Sequence, residues 1–198
     1  MKNIITISRE FGSGGRSIAK EVAKKLGYEY FDVEIMERIA QTSGMEPEVE
    51  EKPEEITGYK SLFGYKLVGR GTKEASMENY LWNKQRDMIL ELGEKGNCVI
   101  VGRCADYLLR DNANTLHVFV HADMEYRAKH IVQLYGETNE TPEKTLKDKD
   151  KMRKAAYEYR TDREWGLAQN YDITLNSSKL GQQRCVEIIT GLAMAEDI

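Results

Sequence analysis

The possible folds of this chain are limited above all by a glycine-rich segment that lies between a short apolar run and an amphipathic segment. The run Ile4-Ile5-Thr6-Ile7 is β-branched throughout, which predicts a first, buried strand. Three glycines then occupy the four positions Gly12-Ser13-Gly14-Gly15. From residue 15 to residue 26 apolar side chains recur at helical spacing, and Gly27 follows as a natural stop. The sequence therefore predicts a strand, a tight turn and a helix in direct succession. The apolar face of that helix comprises Ile18, Val22, Ala23 and Leu26.

A turn of this composition has a specific chemical use. Glycines let the backbone curl with its N–H groups directed inward, and the helix N-terminus behind the turn favours anions. Aligned as Glu10-x-x-x-x-Gly15-Arg16-Ser17, the segment is an imperfect copy of the pattern G-x-x-x-x-G-K-[ST], with Glu for Gly and Arg for Lys. We therefore expect a polyphosphate site, and a turn that binds nothing is the alternative. The predicted phosphate-binding residues are Gly12, Ser13, Gly14, Gly15, Arg16 and Ser17.

Further along the chain, β-branched runs alternate with helical patterns. Four more strands are predicted, at residues 28–31, 98–101, 116–120 and 173–175. Helices are expected after the capping residues Asp32, Asp123 and Thr141, and over residues 76–95 and 180–194. Residues 45–75 are rich in Glu, Gly and Tyr and predict an irregular excursion. The alternation of strands and helices implies a parallel sheet covered on both faces.

Composition narrows the class of protein. The chain has 198 residues, of which 40% are apolar and 31% charged, and this suits one globular domain. A formal net charge of −4 argues against general nucleic-acid binding, and apolar runs of only a few residues argue against a membrane span. The N-terminus carries no signal-peptide pattern and the three cysteines match no zinc spacing. We therefore expect a reduced, cytoplasmic protein.

Three later segments, taken with the turn, resemble cytidylate kinases and most closely the cytidylate kinase-like family. The segments are residues 30–38, residues 99–106 and the charged stretch 149–166. The resemblance implies an α/β, three-layer P-loop NTPase-like fold with a five-stranded parallel sheet flanked by helices. It also implies a single domain over residues 1–198, with an acceptor-binding insert at about 45–97 and a lid at about 136–166.

The resemblance also implies which residues bind the acceptor. The family places an Arg that grips the acceptor phosphate at the position of Arg38, and Gly-Arg-Asp where this chain has Gly102, Arg103 and Cys104. An arginine suits this role because its planar fork reads phosphate oxygens bidentately. A solvated helix arginine is the alternative for Arg38. Cys104 replaces an Asp that helps to recognise the nucleoside, so either Asp106 takes over that contact or the acceptor differs. The predicted acceptor-binding residues are Arg38, Arg103 and Asp106.

The charged stretch carries basic residues that fall on one stripe if it forms a continuous helix. Lys149, Arg153, Arg160 and Arg163 stand at offsets 0, 4, 11 and 14 along the sequence. A basic stripe on one side fits closure over a triphosphate. A solvated charged face is the alternative, since acidic residues are interspersed.

The function implied by the resemblance is a kinase that moves the γ-phosphoryl group of ATP, with Mg²⁺, to a nucleoside monophosphate or similar phosphorylated small molecule. A cytidylate-type acceptor is expected. The implied catalytic residues are Arg16, Asp32, Arg153, Arg160 and Arg163, and Ser17 is the implied metal ligand. A nucleotide-binding regulator without phosphotransfer and an interaction module that docks through the acidic residues 46–55 are the alternatives. No nucleic-acid or membrane partner is expected, and the chain is expected to be a monomer or a homodimer.

Overall fold

The structure is a computed structural model that describes residues 1–32, 72–136 and 140–195, with side chains in the second range from residue 79. Five strands form one parallel sheet in the order β2-β3-β1-β4-β5. The strands are β1 (Ile4–Arg9), β2 (Glu29–Phe31), β3 (Cys98–Val101), β4 (Thr115–His121) and β5 (Ile173–Asn176). All five predicted strands are therefore confirmed. Four of them contain β-branched residues, and β2 contains Tyr30 and Phe31, aromatic residues that strands also favour.

Helices connect successive strands, and a 3₁₀ turn at Ala168–Asn170 precedes β5. The described helices are α1 (Gly15–Leu26), α2 (Thr72–Lys95), α3 (Ala105–Leu108), α4 (Met124–Tyr135), α5 (Pro142–Thr161), α6 (Ser177–Leu180) and α7 (Gln182–Met194). Among the described residues, none of these helices combines the length and the apolar character that a membrane crossing requires.

Two apolar layers cover the sheet. On one face α1 and α7 pack against β-strand side chains, with Ile18, Val22 and Ile189 fully buried. On the other face α2 and the segment around α3 bury Ile89 and Leu109 against the sheet. A third, smaller cluster joins the turn after β1 to α4 and α5 and consists of Phe11, Ala128, Ile131 and Leu146. This is the predicted three-layer α/β arrangement.

The register of the sheet decides where the site lies. Ile7 of β1 pairs with Val101 of β3, and Phe31 of β2 pairs with Ile100. The residues that follow these strands therefore emerge at one edge, the carboxyl edge, where open α/β sheets bind ligands. The glycine-rich turn and the Asp32 and Arg103 positions all belong to this edge.

Three details of the helices differ from expectation. The predicted helix 180–194 is divided at Gly181, whose φ is +77°. The side chains of Asp123 and Thr141 make no capping hydrogen bond, and Asp123 instead pairs with Lys179. α5 ends at Thr161 because Asp162 adopts φ +52° and its N–H bonds back to the Glu158 carbonyl.

That helix end corrects the predicted basic stripe. Arg163 lies beyond α5, so the continuous helix that would have aligned it with Arg153 and Arg160 is absent from the described residues 140–195. The predicted helix after Asp32 lies outside the described residues, as do residues 45–71 of the predicted irregular excursion at 45–75. Residues 72–75 of that excursion are helical, because α2 begins at Thr72 rather than at residue 76.

Candidate functional site

The turn after β1 is built as an anion cradle. Gly12 and Gly14 have φ of +76° and +78°, conformations that L side chains rarely adopt. Gly12 also lacks room for a side chain, because a Cβ there would lie 2.9 Å from a methyl carbon of Ile131. The first hydrogen bond of α1 runs from the Ile18 amide to the Gly14 carbonyl oxygen, at 3.0 Å. The amides before it therefore point out of the helix N-terminus, where they favour a phosphate.

Glu10, which replaces the expected glycine, holds this turn in place through a hydrogen bond and an ion pair. Its carboxylate accepts a hydrogen bond of 3.0 Å from the Ala122 amide and faces the buried Arg127 guanidinium at 3.5 Å. Arg127 in turn donates to the Phe11 carbonyl at 3.2 Å. The Phe11 amide donates to the Asp150 carboxylate of α5 at 2.7 Å. The departure from the common motif is therefore compensated by a network that ties the turn to β4, α4 and α5.

His130 of α4 is a neighbour of the turn that no sequence motif singled out. Its Nδ1 lies 2.8 Å from the Gly12 oxygen, and because a carbonyl only accepts, Nδ1 carries the hydrogen. His130 also lines the cavity above the turn, together with Arg16, Ser17 and Arg153. The cavity therefore receives side chains from α1, α4 and α5.

A cluster of arginines converges on one buried carboxylate beside the cavity. Asp32, at the end of β2, is 3% exposed and forms an ion pair with Arg16 Nε. Arg9 Nη2 lies 3.6 Å from the other carboxylate oxygen. Burial opposes ionisation of Asp32, but the charges of Arg9, Arg16 and Arg103 outweigh it and lower the pKa of that carboxyl. Three positive charges and one negative charge leave a net positive site, which suits phosphate groups.

Arg103 reaches this cluster through an unusual backbone. Gly102, Arg103 and Cys104 have φ of +68°, +61° and +55° in succession. For the two residues with side chains this conformation costs on the order of 1–2 kcal/mol each, and such strain concentrates at functional sites. A Cβ on Gly102 would lie 2.3 Å from Arg9 Nη1, so this glycine makes room for the guanidinium. Gln85 of α2 supports the turn by donating to the Arg103 carbonyl at 3.2 Å.

Cys104 and Asp106 follow Arg103 in the chain and have different surroundings. Burial, reinforced by the nearby Asp106 charge, raises the pKa of the Cys104 thiol to about 12, so the thiol stays protonated at neutral pH. Asp106 is 2% exposed and accepts hydrogen bonds from the Ser8 hydroxyl at 3.2 Å and the Tyr157 hydroxyl at 2.7 Å. The structure thus places Asp106 in the interior, between β1 and α5.

The three predicted lid arginines have different neighbours. Arg153 is buried, donates to the Arg9 carbonyl at 3.0 Å and lines the cavity above the turn. Arg160 donates to Asn79 of α2 at 3.2 Å and lies over the Trp82 ring. Arg163 lies over the ring of Tyr107 of α3, 5.3 Å from its centre. The structure therefore brings Arg153 to the turn, Arg160 to α2 and Arg163 to α3.

Of the remaining predicted residues, Ser17 lies on the first turn of α1 with its side chain exposed in the cavity, and Arg38 lies outside the described residues. No group of three or more His, Cys, Asp or Glu side chains within the described ranges is arranged to hold a metal. Arg9 belongs to the site although no sequence motif identified it. The available signal was a charged residue at the end of a buried strand.

Comparison with known proteins gives a family and a fold. The sequence profile described as the cytidylate kinase-like family matches residues 4–179. An uncharacterized protein from Eubacterium ventriosum is similar in structure, with a TM-score of 0.75 at 24% identity, over 98% of this chain and 100% of that chain. Among curated proteins no sequence matches.

Two solved kinases have the same fold at low identity. A shikimate kinase from Acinetobacter baumannii in complex with shikimate has a TM-score of 0.55 at 14% identity, over 97% of this chain and 93% of that one. A sugar kinase from Janibacter has a TM-score of 0.52 at 12% identity, over 96% of this chain and 94% of that one. At these identities the likeness concerns the fold alone.

Proposed function

The chain belongs to the cytidylate kinase-like family, and on that basis we propose that it is a kinase that transfers the γ-phosphoryl group of ATP to a nucleoside monophosphate, with a cytidylate-type acceptor as the first candidate. The observation that carries the proposal is that Arg9 and Arg16 pair with Asp32 beside the glycine-rich turn, while the charge of Arg103 also acts on that carboxylate. Phosphoryl transfer needs little covalent chemistry from the protein, so positioned positive charge is the main requirement.

The donor phosphates are assigned to the turn. The amides at the start of α1 and the Arg16 guanidinium would contact the β- and γ-phosphates. Arg16 is paired with Asp32, so an incoming phosphate competes with that carboxylate for the guanidinium. Arg153, which lies in the same cavity, would counter the charge that develops on the transferred group.

The residues present also fit a magnesium ion that arrives with ATP. The exposed Ser17 hydroxyl in the cavity is a hard oxygen ligand, and phosphate oxygens would supply further ligands. When bound, Mg²⁺ neutralises charge on those oxygens. Asp32 is held between Arg9 and Arg16, so we assign it to the orientation of these two guanidinium groups rather than to direct ligation.

The acceptor phosphate is assigned to the other side of the arginine cluster. Arg103, supported by Arg9, would bind its oxygens, and the family resemblance adds Arg38. The two arginines that would contact the phosphate directly, Arg103 and Arg38, match the double negative charge of a monophosphate group. The nature of the base is a separate question, because Cys104 stands where the family pattern has an Asp.

The test is phosphoryl transfer from MgATP to a panel of CMP, dCMP, UMP, AMP and GMP, with ADP release and labelled product both followed. Transfer to one monophosphate supports the proposal and names the acceptor. ADP release without any labelled product, or a thermal shift with MgATP but no transfer to any acceptor, would contradict the proposed reaction and favour a nucleotide-binding regulator.

A further inference from the structure

We infer that Asp106 is a positioning residue that holds α5 in place relative to the arginines of the site, through its hydrogen bond with Tyr157. This inference rests on the proposed function, since the arginines matter only if the site transfers a phosphoryl group. It differs from the role that sequence analysis gives Asp106, which is direct contact with the acceptor.

One carboxylate connects three segments of the chain that each contain a site arginine. Asp106 is the second residue of α3 and lies three residues after Arg103 in the chain. Its Oδ1 accepts from Ser8, the residue before Arg9 on β1. Its Oδ2 accepts from Tyr157 on α5. The loop after β3, the end of β1 and α5 therefore meet at this single side chain.

Tyr157 transmits the contact to the phosphate cavity. It lies one helical turn after Arg153 on α5, so the two side chains share a face of that helix. Both are buried, and Arg153 donates to the Arg9 carbonyl at 3.0 Å. The hydrogen bond that holds Tyr157 at Asp106 therefore also helps to hold Arg153 in its position beside the turn. The Asp150 contact with the Phe11 amide holds the preceding turn of the same helix.

The surroundings of Asp106 favour this role over contact with a substrate. Both carboxylate oxygens have protein donors, and the residue is 2% exposed. Burial raises the pKa of the Asp106 carboxyl, while the hydrogen bond from Tyr157, the nearby His117 and the hydrogen bond from Ser8 act in the opposite direction. What the geometry requires from Asp106 is an acceptor for the Tyr157 hydroxyl and a hydrogen-bond partner for the Ser8 hydroxyl, both in fixed places, rather than a net charge.

Two substitutions separate the hydrogen bonds of Asp106 from its charge. Asp106→Asn keeps an acceptor for Tyr157 and offers its amide to the Ser8 hydroxyl, while it removes the charge. Tyr157→Phe removes the hydrogen bond and keeps the ring. Tyr159→Phe is the matched control, because Tyr159 lies two residues away on the same helix and is 72% exposed. Each protein is compared in kcat, in KM for the acceptor and in amide hydrogen exchange of α5.

We expect Tyr157→Phe to lower kcat roughly 10- to 100-fold, as displacement of catalytic groups by about 1 Å can do, with KM for the acceptor changed less than about threefold. Asp106→Asn should stay within about threefold of the wild type in kcat. Amides of α5 should exchange faster in Tyr157→Phe than in Tyr159→Phe, because the helix has lost a buried contact.

Two results would overturn the inference. The first is a raised acceptor KM in Asp106→Asn together with unchanged kinetics in Tyr157→Phe, since that pattern describes a charge in contact with the acceptor. The second is unchanged exchange of α5 in Tyr157→Phe. The exchange measurement needs no activity, so it tests Asp106 even if the wild type transfers phosphate to no acceptor, a result that would contradict only the proposed reaction.

Discussion

Asp32→Asn is expected to destabilise the ligand-free protein and to make its stability depend on bound anions. The Asp32 carboxylate is 3% exposed, and the side chains of Arg9 and Arg16 are each 12% exposed. Removing one partner of a buried ion pair costs about 3–5 kcal/mol because the remaining charge is left uncompensated. For a chain of this length that corresponds to a fall in Tm of roughly 6–20 °C.

The assay is thermal unfolding in a buffer free of phosphate and sulfate, repeated with tripolyphosphate. The anion should raise the Tm of Asp32→Asn by more than that of the wild type, because it replaces the missing negative charge among the arginines. Asp87→Asn is the control, since Asp87 also pairs with an arginine, Arg86, but on the exposed surface of α2, where such pairs contribute less than about 1 kcal/mol. Equal Tm values for Asp32→Asn and Asp87→Asn without anions would show that the ion pairs of Asp32 do not stabilise the fold.

The pH dependence of the same variant follows from the lowered pKa of Asp32. The folded pKa lies below the ordinary value of 3.8, so the stabilising charge is fully present above pH 3.8 and is lost as the pH falls through the folded pKa. The difference in unfolding free energy between wild type and Asp32→Asn should therefore be constant at neutral pH and shrink in acid. Urea titrations from pH 7 downward measure it, and a difference that grows in acid would have the wrong sign.

Three further substitutions test the neighbourhood of the site. Gly102→Ala should displace the Arg9 guanidinium and lower kcat at least about tenfold while circular dichroism stays native, because the new methyl group occupies the place of Nη1. Glu10→Gly, which restores the common motif, should destabilise the protein by about 1–3 kcal/mol in urea unfolding, since the buried Arg127 loses a charged partner. His130→Ala should weaken MgATP binding by about 2- to 12-fold in calorimetry, with unaltered affinity contradicting its place in the cavity.

Much of the fold was predictable because its signals are local. β-branched residues or, in β2, aromatic residues indicate the strands, and the glycine-rich turn gives the start of α1 at the residue expected. The errors arose where a single residue decides the outcome. Asp162 ends α5 by adopting a left-handed conformation, which aspartate tolerates but does not require. Gly181 likewise divides the last helix, although a glycine inside a helical pattern is often accommodated.

The candidate site was predictable in part. Arg16, Asp32 and Arg103 were identified from motifs, and the parallel register brings them to one edge. The interior position of Asp106 was not predictable, because it depends on a hydroxyl from a residue 51 positions away, Tyr157. The pairing of Glu10 with Arg127 also joins residues far apart in the sequence. From the sequence alone, Glu10 was visible only as a replacement for the first glycine of the phosphate-binding pattern.

We propose that phosphoryl transfer occurs at the arginine cluster around Asp32. The most direct measurement is kcat/KM for the monophosphate acceptor in Arg103→Ala, compared with the wild type and with Arg184→Ala. Arg184 is an exposed arginine on α7 that pairs with Glu187. We expect Arg103→Ala to lose about 100-fold or more while it unfolds at a temperature close to that of the wild type, and Arg184→Ala to retain full activity. Turnover in purified Arg103→Ala equal to that of Arg184→Ala would contradict the claim.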